Sequence, residues 1–259
     1  MRHWMRKLAE HHKRMQRHYE GEKLMVVFDI DDTILDLRHM ALHVLRSFDL
    51  HHDTGFFVDV GLDDFGTRET EVRGIIRQLS IPARDGRRIV SWFEEQAWSS
   101  KVIGEAHRPF PGVIEVIRCL QRQPKTFVGI NTGRPESIRD DTLRSLNSVG
   151  KSHDVDFTND LLFMNPRGWN ENIVAFKVAG IDYFRKKDFR VIAFIDNEPE
   201  NLEAVSMYDR TGDILLLHAD TVYRSGRERV PTNAVSGKLY DIAELRHHFR
   251  RRDELGEAA

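Results

Sequence analysis

Four apolar runs interrupt an otherwise polar chain without alternating: Leu24–Ile30 (LMVVFDI), Thr126–Ile130 (TFVGI), Val191–Ile195 (VIAFI) and Ile214–Leu217 (ILLL). Short continuous runs of this kind suit strands buried on both faces of a parallel sheet. A weaker strand is predicted at Leu161–Met164. Apolar positions at helical spacing follow the second run at Ser137–Ser148, precede the third at Asn170–Phe184 and follow it at Pro199–Tyr208. This alternation predicts an α/β fold with an open, doubly wound, mainly parallel sheet. In such a sheet ligands sit at the carboxyl ends of the strands, so the residues that end each apolar run are the ones to examine.

About a hundred residues separate the first two runs, far more than a crossover helix requires. Helical patterns at Leu37–Phe48, Arg68–Leu79 and Ala83–Trp98 fill the gap, with an acidic, Gly-containing stretch, Phe56–Gly66, between the first two. We expect a helical cap at 37–107 inserted into a core formed by 23–36 and 108–249. Pro109, Pro111 and Gly112 mark the return to the sheet. Residues 1–22 read as a basic helical arm, whose Trp4, Met5, Leu8, Met15 and Tyr19 pack on the body or on a partner. Residues 250–259 read as a flexible tail. There is no internal repeat.

The first apolar run ends in Asp29-Ile30-Asp31-Asp32-Thr33. Three carboxylates in four residues at the end of a buried strand repel one another unless a cation or hydrogen bonds compensate. Residues two apart on an extended segment point the same way, so Asp29 and Asp31 can converge while Asp32 points elsewhere. A turn or helix cap is the bland alternative for an Asp pair. An EF-hand is excluded: Ile34 holds its glycine position, Met40 its bidentate glutamate position, and a strand precedes it. The second run ends in Asn131-Thr132-Gly133-Arg134-Pro135, where a hydroxyl, a glycine and an arginine can cradle phosphate. Lys177 emerges from an apolar stripe flanked by Ile173 and Ile181, so its ammonium requires a carboxylate or phosphate partner. The third run ends in Asp196-Asn197-Glu198-Pro199-Glu200-Asn201, which adds hard oxygen ligands, with Asn201 or Glu200 able to brace the loop.

These four elements, in this order on one strand–helix frame, resemble the haloacid dehalogenase-like (HAD) superfamily in its phosphatase branch, from about Leu24 to Leu217. VVFDIDDT matches the first family motif, Thr132 the second, Lys177 the third, and Asp196 with Asn201 the fourth. Asn197 departs from the pattern by replacing a second acidic residue. The resemblance implies a Rossmann-like core with a type 1 helical cap and a Mg²⁺-dependent phosphomonoester hydrolase. In it Asp29 forms an aspartyl-phosphate and Asp31 acts as general acid, then base. Mg²⁺ is held by Asp29, Asp31 through its carbonyl, and Asp196 or Asn197. Thr132, Gly133 and Lys177 bind the phosphate. The presence of Asp31 implies a phosphatase or phosphomutase and not a dehalogenase. The expected substrate is a small phosphorylated metabolite; the alternatives are a nucleic-acid-end phosphatase, a phosphomutase, or a non-catalytic protein that binds metal or a phosphorylated partner.

Composition narrows the partners. Lys+Arg number 39 and Asp+Glu 41, for a formal charge of -2, so nothing marks the chain as an obligate polyanion binder and nucleic acid is not an expected partner. No apolar run approaches the ~20 residues that cross a bilayer, and the basic N-terminus has no apolar signal region, so a cytoplasmic protein is expected. Homo-oligomerisation stays open. The single cysteine, Cys119, lies beside Val116, Ile117 and Leu120 and reads as an apolar packing residue. The adjacent pairs His11-His12, His51-His52 and His247-His248 face different directions on a helix and do not predict a zinc site. Phe56, Phe57 and Phe65 read as cap core before substrate pocket.

Overall fold

The computed structural model describes residues 3–65, 72–169, 172–222 and 230–250. Six strands form its centre: β1 (Lys23–Phe28), β2 (Thr126–Pro135), β3 (Leu162–Asn165), β4 (Phe189–Asp196), β5 (Leu215–Ala219) and β6 (Val235–Gly237). They lie in the order β3-β2-β1-β4-β5-β6, every pairing parallel. The doubly wound α/β sheet expected from the sequence is therefore present.

Why β1 is central follows from its side chains. Val26 and Phe28 point into an apolar cluster on one face, Met25 and Val27 into a second cluster on the other, as the two-residue period of a strand requires. The first cluster is covered by α1 (Trp4–His18), α6 (Val113–Gln121), α7 (Arg139–Gly150) and α10 (Ile242–Arg250), the second by α8 (Ile173–Arg185) and α9 (Pro199–Tyr208). β1 stops at Phe28, earlier than the apolar run suggests, because the chain turns back on itself: Ile34 N and Leu35 N both donate to Ile30 O, at 2.7 and 2.9 Å. β2 runs on to Pro135, since its far end pairs with β3 at Asn165 after a register shift.

Short elements escaped the sequence pattern: α5 (Ser100–Ala106), α6, β6 and α10 are too brief or too mixed in polarity to stand out. The helix expected from Arg68 runs Val72–Gln78 (α3), and that expected from Asn170 begins at Ile173; Gly66, Arg68 and Asn170 lie outside the described residues, as do 251–259 of the tail.

Between β1 and β2, α2 (Leu37–His52), α3, α4 (Ala83–Gln96) and α5 build an apolar cluster of their own around Met40, Phe48, Phe57 and Phe93. Phe57 and Phe65 are buried in it, with Phe56 packed against its edge. The stripe on α1 turns to the sheet: Trp4, Met5, Leu8 and Met15 join the first core cluster, and Trp4 Nε1 donates to Leu239 O at 2.6 Å. Cys119 is half-buried against the same cluster, which pushes its thiol up. Among the described residues no helix is long and apolar enough to cross a membrane.

Candidate active site

Because β2, β1 and β4 are neighbours, the ends of the first three apolar runs arrive side by side. Asp29 continues β1 far enough for its amide to reach Ile195 O at 2.9 Å. The chain then reverses through Asp32, whose φ of 52° is left-handed, a conformation Asp tolerates better than most residues. The reversal turns Asp32 away from its neighbours: its Oδ1 accepts from Leu37 N at 3.2 Å at the head of α2, and burial pushes its carboxyl up to about 7.

Lys177 sits at the centre of the convergence. It is buried on α8, and its ammonium contacts the Asp29 carboxylate, Asp196 Oδ2 at 2.9 Å and Asn131 O at 2.9 Å. Burial pushes the Asp29 carboxyl up to about 8, opposed by Lys177 and reinforced by Asp196 and Asp31. Burial also opposes the lysine's charge, but Asp196 and Asp29 outweigh it and hold the ammonium protonated. Asp196 is fixed by two further donors: Glu198 N at 2.8 Å and Asn201 Nδ2, which reaches both carboxylate oxygens at 3.0 and 3.2 Å. Asn201 thus braces the loop, as its spacing suggested.

Asp31 faces outward and is the most accessible of the three, its side chain 13% exposed. Arg134 grips it with a fork: Nε at 2.9 and 3.1 Å and Nη2 at 2.5 Å. This changes the role expected for Arg134. Its guanidinium is wholly buried, over the Trp98 ring at 4.9 Å, so it holds a carboxylate and does not line an open phosphate cradle. Thr132 Oγ1 accepts from Arg134 N at 3.2 Å, and Gly133 lies under Ile173, whose Cγ2 would be 3.2 Å from a Cβ there.

Further contacts surround these groups, among them those of His107 and Arg108, which the sequence marks near the return from the insertion. Asn131 donates its side-chain amide to Lys177 O at 2.8 Å and so ties α8 to β2. Trp98 and Trp169 lie ring on ring at 4.6 Å. His107 is buried with Nδ1 2.8 Å from Ser145 Oγ, and burial, reinforced by Arg134, pushes it down to about 3. Arg108 donates to the carbonyls of Glu105 and His107. Neither residue contacts the carboxylates directly among the hydrogen bonds of the described residues.

No family model and no curated protein matches the chain. Solved structures do. A candidate phosphatase from Clostridium difficile superposes with a TM-score of 0.55 at 12% identity, covering 87% of this chain and 99% of its own. A subfamily IA HAD-superfamily hydrolase from Geobacter sulfurreducens gives 0.53 at 12% identity, covering 87% and 97%. The fold is that of the HAD-like hydrolases. A candidate phosphoglycolate phosphatase from Haemophilus somnus shares it with a TM-score of 0.50 at 13% identity, covering 87% and 98%. In this HAD-like frame the Asp29 motif ends β1 at the middle of the sheet, where the strand order reverses and ligands collect.

The donor set fits Mg²⁺. Among the described residues no three His, Cys, Asp or Glu side chains gather into a metal nest; what the structure brings together is two carboxylates, Asp29 and Asp196, at the Lys177 ammonium, with Asn197 next to Asp196 in the chain. Mg²⁺ favours such a site, because it dehydrates reluctantly and keeps several waters beside one or two carboxylates. The buried Asn197 amide nitrogen has no partner. Reversing that amide puts an oxygen ligand in its place, an assignment equivalent at the level of atom positions.

Proposed function

We propose that this protein is a Mg²⁺-dependent phosphomonoester hydrolase acting on a small phosphorylated substrate through an aspartyl-phosphate on Asp29. The observation that carries the proposal is the buried Asp29–Lys177–Asp196 triangle beside an accessible, Arg134-held Asp31. Two carboxylates and one ammonium in a desolvated volume form an electrostatic arrangement costly to fold and suited to a phosphoryl group.

Asp29 attacks phosphorus in line as the ester P–O bond breaks, and Asp31 gives its proton to the departing alcohol oxygen. The Arg134 fork orients Asp31 and pairs with the carboxylate that this transfer leaves behind. Asp31 then takes a proton from the water that cleaves the aspartyl-phosphate and releases inorganic phosphate. Lys177, the Thr132 hydroxyl and the Gly133 amide take phosphoryl oxygens, where negative charge gathers in the transition state. Asp29, Asp196, Asn197 and the Asp31 carbonyl are the residues that would hold Mg²⁺, which supplies when bound the positive charge that lets a carboxylate approach a phosphate dianion.

Hydrolysis of p-nitrophenyl phosphate tests the proposal. Turnover is expected with Mg²⁺, lost with chelator, and abolished by Asp29→Asn while the melting temperature stays close to that of the wild type. Absence of turnover across a broad phosphate-ester panel overturns it.

A further inference from the structure

We infer that Trp169 and Trp98 form a stacking platform that selects phosphomonoesters whose leaving group carries a planar aromatic ring, a nucleoside base or an aryl group. This rests on the hydrolase proposed above and names its substrate class.

Contacts lead outward from the general acid. Asp31 is held by the Arg134 fork, the Arg134 guanidinium lies 4.9 Å from the Trp98 ring centre, and the Trp98 ring lies 4.6 Å from that of Trp169 at an interplanar angle of 38°. Asp31 marks the leaving-group side of the site, because it is the acid that protonates the departing oxygen. The rings therefore lie on the side where the leaving group emerges. Trp98 belongs to the helical insertion and Trp169 to the loop after β3, so the pair spans the two parts of the molecule that flank the site. Ile173, itself partly exposed, lies over Gly133 and adds apolar surface at the phosphate-binding segment.

Trp169 is 42% exposed although its partner ring is half-buried. The part of the Trp169 ring that Trp98 leaves open exposes apolar surface to water, which a flat apolar group would cover. The loop is built to hold it there. Buried Asn165 accepts from Arg167 N at 2.9 Å and donates to Gly168 O at 2.7 Å, and Gly168 takes a left-handed φ of 93° that glycine alone adopts freely. Stacking on one such ring is sequence-tolerant and strong enough to change affinity by about tenfold or more.

Two measurements test this. Calorimetry on Asp29→Asn, which binds ester without turning it over, compares adenosine 5′-monophosphate, phenyl phosphate and glycerol 3-phosphate. The expected result is that the aromatic esters bind about tenfold or more tightly than glycerol phosphate, that Trp169→Ala in this background removes the difference, and that Trp169→Phe keeps most of it. A preference for only one aromatic ester supports the platform and names its source, base or aryl. Equal binding of all three esters, or a preference untouched by Trp169→Ala, overturns it. In the wild type, the ratio of kcat/KM for phenyl phosphate over glycerol phosphate is expected to collapse in Trp169→Ala. If the tryptophan pair only latches the insertion to the core, both esters lose equally and the ratio stays, which also overturns the platform. Absence of turnover on every ester refutes the hydrolase but leaves the calorimetric comparison to decide the platform.

Discussion

Asn131 and Lys177 are bonded to each other twice: the Asn131 carbonyl accepts from the lysine ammonium at 2.9 Å, and the Asn131 amide donates to the lysine carbonyl at 2.8 Å. One residue on β2 thereby fixes both the depth of α8 and the aim of its cation. Gly180, one turn along α8, makes room for this, since a Cβ there would overlap the Asn131 amide. Gly180→Ala is expected to cost about 1–3 kcal/mol despite the better helix propensity of alanine, because the buried amide loses its bond. In an Asn131→Ala background the same change should cost much less, since the overlapping group is gone. Urea unfolding of the four proteins measures the coupling; additive effects would mean that Gly180 does not serve Asn131.

Arg134 sets the second expectation. Arg134→Lys keeps the charge but loses the fork, so Asp31 is less well oriented to deliver its proton. Alkyl phosphates depend on that proton, whereas p-nitrophenol leaves readily without it. The fall in kcat should be about tenfold or more for glycerol phosphate and clearly smaller for p-nitrophenyl phosphate. Equal losses on both esters would show that Arg134 serves binding or folding and not the acid.

Much of the fold was legible in the chain because each central strand is apolar on both faces, a pattern few other structures produce. The chemistry at strand ends was legible for a related reason: carboxylates have no business beside Val26-Val27-Phe28 unless a site requires them. What could not be read was pairing across distance. That Arg134 turns inward to Asp31, that Asn131 and Gly180 fit together, and that Trp98 meets Trp169 all depend on register and helix rotation, which no local period encodes. The role of α1 was half legible. Its stripe predicted a packed face, but whether the sheet or a partner received it depended on β6 and α10, neither visible in the sequence.

Lys177 and Asp29 are unequal partners in stability. Lys177→Met leaves Asp29 and Asp196 buried together without their cation, which should cost about 3–5 kcal/mol. Asp29→Asn leaves the lysine paired with Asp196 and removes a carboxyl that burial already disfavours as an anion, so it should cost far less. Adding Mg²⁺ should raise the melting temperature of Lys177→Met more than that of the wild type, because the ion replaces the missing charge. The reverse order of stabilities in a thermal melt would contradict the triangle as the focus of strain.

Trp4 tests whether α1 is part of the body. Its ring is buried against Tyr240 with centres 4.8 Å apart, and a Cβ on Gly237 would overlap the indole. Trp4→Ala is expected to cost about 3–5 kcal/mol, and Gly237→Ala to destabilise as well by displacing the indole. A melting temperature unchanged by Trp4→Ala would show that the helix contributes nothing to the fold.

Acid should unfold this protein through its buried histidines. His12 is enclosed, with Nε2 2.8 Å from Thr126 Oγ1 and Phe249 edge-on to its ring, and burial pushes it from 6.5 down to about 4. His11 and His107 are lowered for the same first reason. The folded state keeps His12 neutral between pH 6.5 and 4 while the unfolded chain takes up a proton, so stability falls as the pH drops through that window. For His12 alone the loss approaches about 3 kcal/mol at the acid end, at 1.36 kcal/mol per unit. His12→Gln keeps a neutral polar group near Thr126 and removes the titration. Its unfolding free energy in urea should start lower than the wild type at pH 7 and decline less steeply toward pH 4. Parallel curves for the two proteins would show that His12 is protonated equally in both states and that the acid response comes from other groups.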